Sequence, residues 1–246
     1  MKPRVRAWWA WAASLALASA LFVLWPGLDL WLAMPFYAGG GEFPANQQPL
    51  VQVVYVWAPR LGQIAFGLGL LALVLDALMH RSSSAQARPR HWLSPGLRRR
   101  VLAWLLVVVL GVGLVVHEAL KNRVGRPRPV QTELMGGSAP FVPVFTLSTH
   151  CDRNCSFVSG HAAIAFSLMA WGMWASVARR RRWWLAGLLA GLGVGLVRMA
   201  QGGHFFSDIV FAGLAVWGTS LLVHALWLRW RWHQQGQRQR SRPGQR

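Results

Sequence analysis

Three short polar clusters interrupt an otherwise apolar chain: Lys121 to Pro129, Ser156 to His161 and Arg198 to Asp208. In the first, Lys121 offers a mobile point charge and Arg128 a planar fork, both suited to phosphate oxygens. Pro127 and Pro129 stop a helix there and give Arg128 a defined direction. Lys121 also stands out by composition, as one of only two lysines beside 24 arginines. In the second cluster, Ser159 reads as a helix N-cap, and Gly160 lets a ligand approach the backbone. Free amides at that helix start make an anion site, with His161 on its rim. The third cluster adds Arg198 as a further cation and places Asp208 four residues after His204. On a helix that spacing stacks the two side chains on one face. The carboxylate then accepts from Nδ1 and leaves Nε2 as a nucleophile or base. Taken singly, each cluster has a plainer reading, as helix punctuation, a buried structural pair or, for Arg60, Arg123 and Arg153, contacts to lipid headgroups. Brought together, they are equipped to handle phosphate.

The elements that must bring them together are membrane helices. Of 246 residues, 54% are hydrophobic and 13% charged, with 16 tryptophans, a profile of an integral membrane protein. The net charge of +19 does not make a nucleic-acid domain, because the basic residues flank apolar runs. The pattern predicts an all-α fold of six transmembrane helices: Ala7 to Trp25, Leu61 to Met79, Val101 to Leu120, Gly160 to Ala178, Trp183 to Val197 and Phe205 to Trp227. Ala18-Ser19-Ala20 imitates a signal-peptidase site, but the apolar run continues to Trp25, so the first helix is read as uncleaved. Pro26 to Arg60 reads as an outer loop, and Gly187, Gly191 and Gly195 permit close helix packing. Residues 1–228 form the membrane domain, and 229–246 a basic cytoplasmic tail expected to be disordered.

Charge placement orients this bundle. Nineteen of the 26 basic residues fall on segments that the span order puts on one side, which places both termini in the cytoplasm. The other seven are Arg60, Lys121, Arg123, Arg126, Arg128, Arg153 and Arg198, and six of them lie in or beside the three clusters. Lys121, Ser159 and Arg198 then all emerge on the outer face, where one shared site is expected.

The order Lys-x6-Arg-Pro, Ser-Gly-His, Arg-x5-His-x3-Asp resembles the three-part signature of the type 2 phosphatidic acid phosphatase superfamily, and the family's six-helix core corresponds to most of the chain. Val158 and Val197 depart from it, standing where the family usually has proline and serine. The resemblance implies that His204 attacks phosphorus to give a phosphohistidine, with Asp208 holding its tautomer. It implies that His161 protonates the leaving oxygen, and that Lys121, Arg128, Arg198 and the amides near Ser159 and Gly160 bind phosphate. The resemblance implies no metal, cofactor or obligate protein partner, and as substrate a membrane lipid phosphate, with the active site at the periplasmic interface of a bacterial inner membrane. Lipid A phosphate, phosphatidic acid, phosphatidylglycerophosphate and undecaprenyl pyrophosphate share the headgroup chemistry. The stretch from Cys151 to Gly160 is similar to the corresponding loop of bacterial lipid A phosphatases. Facing an oxidising compartment, Cys151 and Cys155 can close a small disulfide turn. Two alternatives stay open at this level: a zinc site of His150, Cys151, Cys155 and His161, and a lipid or phosphate transporter using the same cations.

Overall fold

In the computed structural model, which describes residues 3–81 and 92–240, with side chains at 5–80 and 92–235, the regular elements are helices. They are α1 (Pro3–Leu24), α2 (Gly27–Ala33), α3 (Pro49–Arg81), α4 (Pro95–Val107), α5 (Gly160–Phe166), α6 (Val177–Ala200) and α7 (Phe206–Arg240). Five described stretches are long and apolar enough to cross a membrane: Val5–Leu24, Pro49–His80, Pro95–Lys121, Val177–Ala200 and Phe206–Gln235. Their outer sides expose Leu17, Leu68 and Leu189, a surface that suits lipid and that water would penalise.

Ser94 caps α4, its hydroxyl accepting from the amide of Leu97 at 3.3 Å, and Pro95 occupies the first turn, where no amide proton is needed. The same helix continues over Val108–Lys121 in wider π-type turns, which close when the Asn122 amide reaches the His117 carbonyl at 3.1 Å. On α6, the glycine stripe does what its spacing predicts. A methyl on Gly187 would press within 2.7 Å of Met169, and one on Gly191 or Gly195 would enter the Phe166 ring or Ile209. Helix α6 therefore lies against α5 and α7 at backbone distance. Helix α1 runs antiparallel to α7, with Trp11 donating to the Leu214 carbonyl at one level and Phe22 packing on Phe206 and Phe211 at the other.

Three boundaries differ from the sequence reading. Helix α3 starts twelve residues before the expected Leu61, because Pro49 fits its first turn and Pro59 is accommodated inside it, as membrane helices allow. The run expected as a continuous helix over Gly160 to Ala178 is broken, with α5 giving way to a 3-10 segment at Ser167–Gly172 and a turn before α6. Ser167 explains the break. Its hydroxyl bonds back to the Ile164 carbonyl at 2.6 Å and accepts from Trp104 Nε1 at 2.9 Å, competing with the helical ladder. Finally, α7 passes Trp227 and stays helical to Arg240, where a disordered tail from residue 229 was expected; arginine and glutamine are good helix formers. Residues 241–246 of that tail, and residues 82–91 between α3 and α4, lie outside the described residues.

Candidate active site

The three clusters meet at one end of the bundle, joined through their backbones. The amides of Cys155 and Ser156 donate to the carbonyls of Lys121 and Arg126, at 3.3 and 2.9 Å. The amide of Ser159 donates to the carbonyl of Asp208 at 3.1 Å, and that of Val130 to Gly202 at 3.1 Å. The Lys121–Pro129 and Arg198–Asp208 clusters are thus each tied to the Ser156–His161 segment, and also to each other.

His204 is fully buried in the loop just before α7. Its Nδ1 lies 2.8 Å from the carbonyl oxygen of Ser156 and 3.7 Å from Oδ2 of Asp208. A carbonyl can only accept, so Nδ1 carries the proton and Nε2 keeps its lone pair. Nε2 has no hydrogen-bond partner within the protein. Burial pushes the imidazole down to about 3, so the ring is neutral at physiological pH. The expected pairing with Asp208 is therefore present in space, but the shorter contact belongs to Ser156. The reason is local: helix starts at Phe206, so His204 and Asp208 are not stacked on one helical face.

Asp208 instead ties the site together. Its carboxylate accepts from the Phe205 amide at 2.8 Å, the Ser156 hydroxyl at 2.5 Å and Arg126 Nη1 at 2.7 Å. Arg126 is completely buried and also donates to Asp29 at 2.8 Å, to the Ser207 hydroxyl at 2.8 Å and to the Val142 carbonyl at 2.8 Å. Its guanidinium lies 4.4 Å from the Phe205 ring centre. Asp29, brought in by α2, accepts from the Ser207 amide and hydroxyl. Burial raises its carboxyl above the ordinary range, and Arg126 works against that rise. One arginine thus holds two buried carboxylates, a cluster tolerable in low dielectric only because its lone pairs are so fully bonded.

On the other side are the cations and His161. Lys121 is buried at the end of the π-type helix, and Arg198 is buried at the end of α6. Arg198 donates to Gln201 at 2.5 Å, while its Nε has no partner. Gly203 makes room for it, since a methyl there would come within 2.8 Å of the guanidinium carbon. Arg128 is half-buried and donates to the Asn154 carbonyl at 2.8 Å. The charges of Lys121, Arg128 and Arg198 all act on His161. That ring is half-buried and stacks on Tyr55 of α3, centroids 5.2 Å apart and planes 14° apart; the Arg198 guanidinium lies 4.4 Å from the Tyr55 ring centre.

Ser159 caps α5 as expected, accepting from Ala162 at 3.4 Å. Its own amide donates to the Asp208 carbonyl at 3.1 Å and is not open to a ligand, contrary to the expected anion-binding role. Gly160 is needed for a neighbour, because a methyl there would come within 2.9 Å of His117 Nε2. Cys151 and Cys155 are joined by a disulfide, Cα atoms 5.7 Å apart. With both sulfurs bonded, neither is a thiolate that zinc could use.

Sequence reasoning placed Arg126 and Ser156 in the clusters but gave neither a role, and it missed Asp29, Tyr55 and His117 altogether. For Asp29 a signal existed: an acid set between Leu28 and Leu30, in a chain with only seven acidic residues.

The chain is similar to a lipid A 4'-phosphatase of Francisella tularensis subsp. novicida, with 33% identity over 85% of this chain and 90% of that one. Lipid A 4'-phosphatases of Rhizobium leguminosarum and Rhizobium etli are each 28% identical over 88% of this chain, covering 91% and 82% of their own lengths. No solved structure matches. Residues 102–234, more than half of the chain, match the model of the PAP2 superfamily, so the clusters that carry the site lie inside the match while Asp29 and Tyr55 come from outside it. The chain belongs to the PAP2 superfamily.

Proposed function

We propose that this protein removes phosphate from a membrane lipid of the lipid A class, through a phosphohistidine on His204. The observation that carries the proposal is the state of His204: buried, neutral, Nδ1 held by the Ser156 carbonyl and Nε2 without a partner. Nε2 attacks phosphorus as the bond to the lipid oxygen breaks. His161 gives that oxygen its proton. Bound phosphate, by neutralising the three cations around His161, lets that ring hold the proton until transfer. Neutral His161 then takes a proton from water, whose oxygen attacks phosphorus and breaks the phosphorus–nitrogen bond. Lys121, Arg128, Arg198 and the Gly160 amide stabilise the phosphoryl oxygens, a task that other phosphoryl-transfer enzymes give to magnesium. Asp208 holds Ser156, and through it the imidazole.

The substrate class is supported by the three lipid A 4'-phosphatases that resemble the chain over most of its length. The transport alternative has no comparable support. The broken segment after His161 counts as a sixth crossing: it leaves the end that holds His204, and α6 returns there, from Val177 to Arg198. Both termini then lie in the cytoplasm and the site faces the periplasm, in line with the charge distribution.

Release of inorganic phosphate in EDTA from purified protein given lipid A, phosphatidic acid or phosphatidylglycerophosphate tests this directly. Lipid A is expected to be hydrolysed fastest, at the 4' position, and His204→Ala to release none. Equal release from all three would remove the substrate assignment, and no release from any would return the transport reading.

A further inference from the structure

At the opposite end of the bundle from His204, a cavity of about 1140 Å³ opens between α1, the 3-10 segment, α6 and α7. It is larger than the roughly 300–1,000 Å³ of ordinary small-molecule pockets. Along α7 its lining extends from Trp217 to His233, sixteen residues and so about 24 Å. That is close to the depth of a single leaflet with its headgroups, half of about 40–45 Å.

The lining changes character along this length. Its deep end is apolar, with Met169 and Trp217, and Trp184 meets Trp217 edge to face at 5.9 Å to form a rigid wall. The hydroxyl of Ser220 in the lining is already bonded to the Val216 carbonyl at 2.8 Å and presents no free polar group. The other end carries Arg180, Arg181 and Arg229, with His233 beside them, and no aspartate or glutamate is among the lining residues. An apolar slot as deep as one leaflet, closed by three arginines at headgroup level, is complementary to one kind of molecule.

We propose that this groove holds an anionic phospholipid, its acyl chain against Trp184 and Trp217 and its phosphate at Arg180, Arg181 and Arg229. The site is separate from the His204 centre: α7 alone puts 21 residues, about 31 Å, between Asp208 and Arg229. Basic pockets between membrane helices bind acidic headgroups by this combination of charge and chain burial.

Phosphatidylglycerol is the probe, because its phosphate is a diester and offers the His204 centre no monoester to cleave. Protein reconstituted in nanodiscs with phosphatidylglycerol or phosphatidylcholine is released into detergent and weighed by native mass spectrometry. One retained phosphatidylglycerol per chain is expected in the wild type and equally in His204→Ala, so the result does not depend on the proposed reaction. The double variant Arg181→Gln/Arg229→Gln is expected to retain it about tenfold less or worse. Ala225→Trp, which fills the slot and leaves the arginines in place, should also lose it. Millimolar glycerol phosphate should not displace it. Equal retention of phosphatidylcholine, unchanged retention in either variant, or displacement by glycerol phosphate would each overturn the proposal.

Discussion

His204 and His161 stand at the same end of the bundle and are held in opposite ways. His204 is fully enclosed, with Nδ1 fixed by a backbone carbonyl and a bonded chain of Ser156, Asp208, Arg126 and Asp29 behind it. His161 is half-exposed on the first turn of a seven-residue helix and rests on the face of Tyr55, a side chain itself 38% exposed. One ring cannot change its tautomer without breaking a buried network, which suits the nucleophile proposed for it. The other is loosely held and open to proton exchange, which suits the proposed acid that must become a base. The arrangement separates orientation from proton traffic.

Substitutions that break this contrast should rank by how far back in the network they act. In the proposed mechanism His204→Ala removes the group that takes up phosphorus, and turnover is expected to fall by at least about 10⁴-fold. Because the wild-type ring titrates near 3, activity that needs it unprotonated is lost only as pH falls toward that value. An acid limb nearer neutrality in a pH profile would therefore report another group. His161→Ala should cost about 10²–10⁴-fold on a lipid phosphate, whose leaving oxygen needs a proton. Much of that should return on an aryl phosphate, whose phenolate leaves unaided. Rescue of His204→Ala by the same substrate would mean the roles are reversed.

Arg126→Met acts on the network and not on the substrate. It strands Asp29 and Asp208 without their shared cation, and a loss of about 3–5 kcal/mol is expected. Thermal unfolding in detergent would read it, with Arg126→Lys recovering only part, since an ammonium cannot make the same fork. Tyr55 carries the smallest effect. Tyr55→Leu removes the stacking face from His161 and the ring from Arg198, and should lower kcat and raise KM by a few fold to about thirtyfold, whereas Tyr55→Phe keeps both. A Tyr55→Phe variant as poor as Tyr55→Leu would show that the hydroxyl matters and the ring does not.

What the sequence makes legible here is whatever a local spacing encodes. Lys121 and Arg128, Ser159 and His161, and His204 and Asp208 each announce themselves within a few residues of chain, and the glycine stripe of α6 predicts a close contact that exists. What it hides is whatever depends on distant partners. Arg126 shares its cluster with Arg128, two residues on, and nothing local says that one is sealed between two carboxylates while the other bonds a loop carbonyl. Asp29 lies 97 residues before its arginine. Tyr55 falls in the proline-rich stretch from Pro26 to Arg60 that reads as an outer loop, and α3 runs through it. The hydrogen bond from His204 to Ser156 was out of reach for a similar reason, since it depends on α7 starting two residues after the histidine.

The proposed mechanism turns on which nitrogen takes the phosphoryl group. A single turnover with phosphorus-labelled lipid A, quenched without acid and examined by peptide mapping and phosphorus NMR, should find the label on Nε2 of His204. The label should persist in His161→Ala and be missing from His204→Ala. Label on His161, label on Nδ1 of His204, or full wild-type turnover with no phosphoenzyme at all would contradict it.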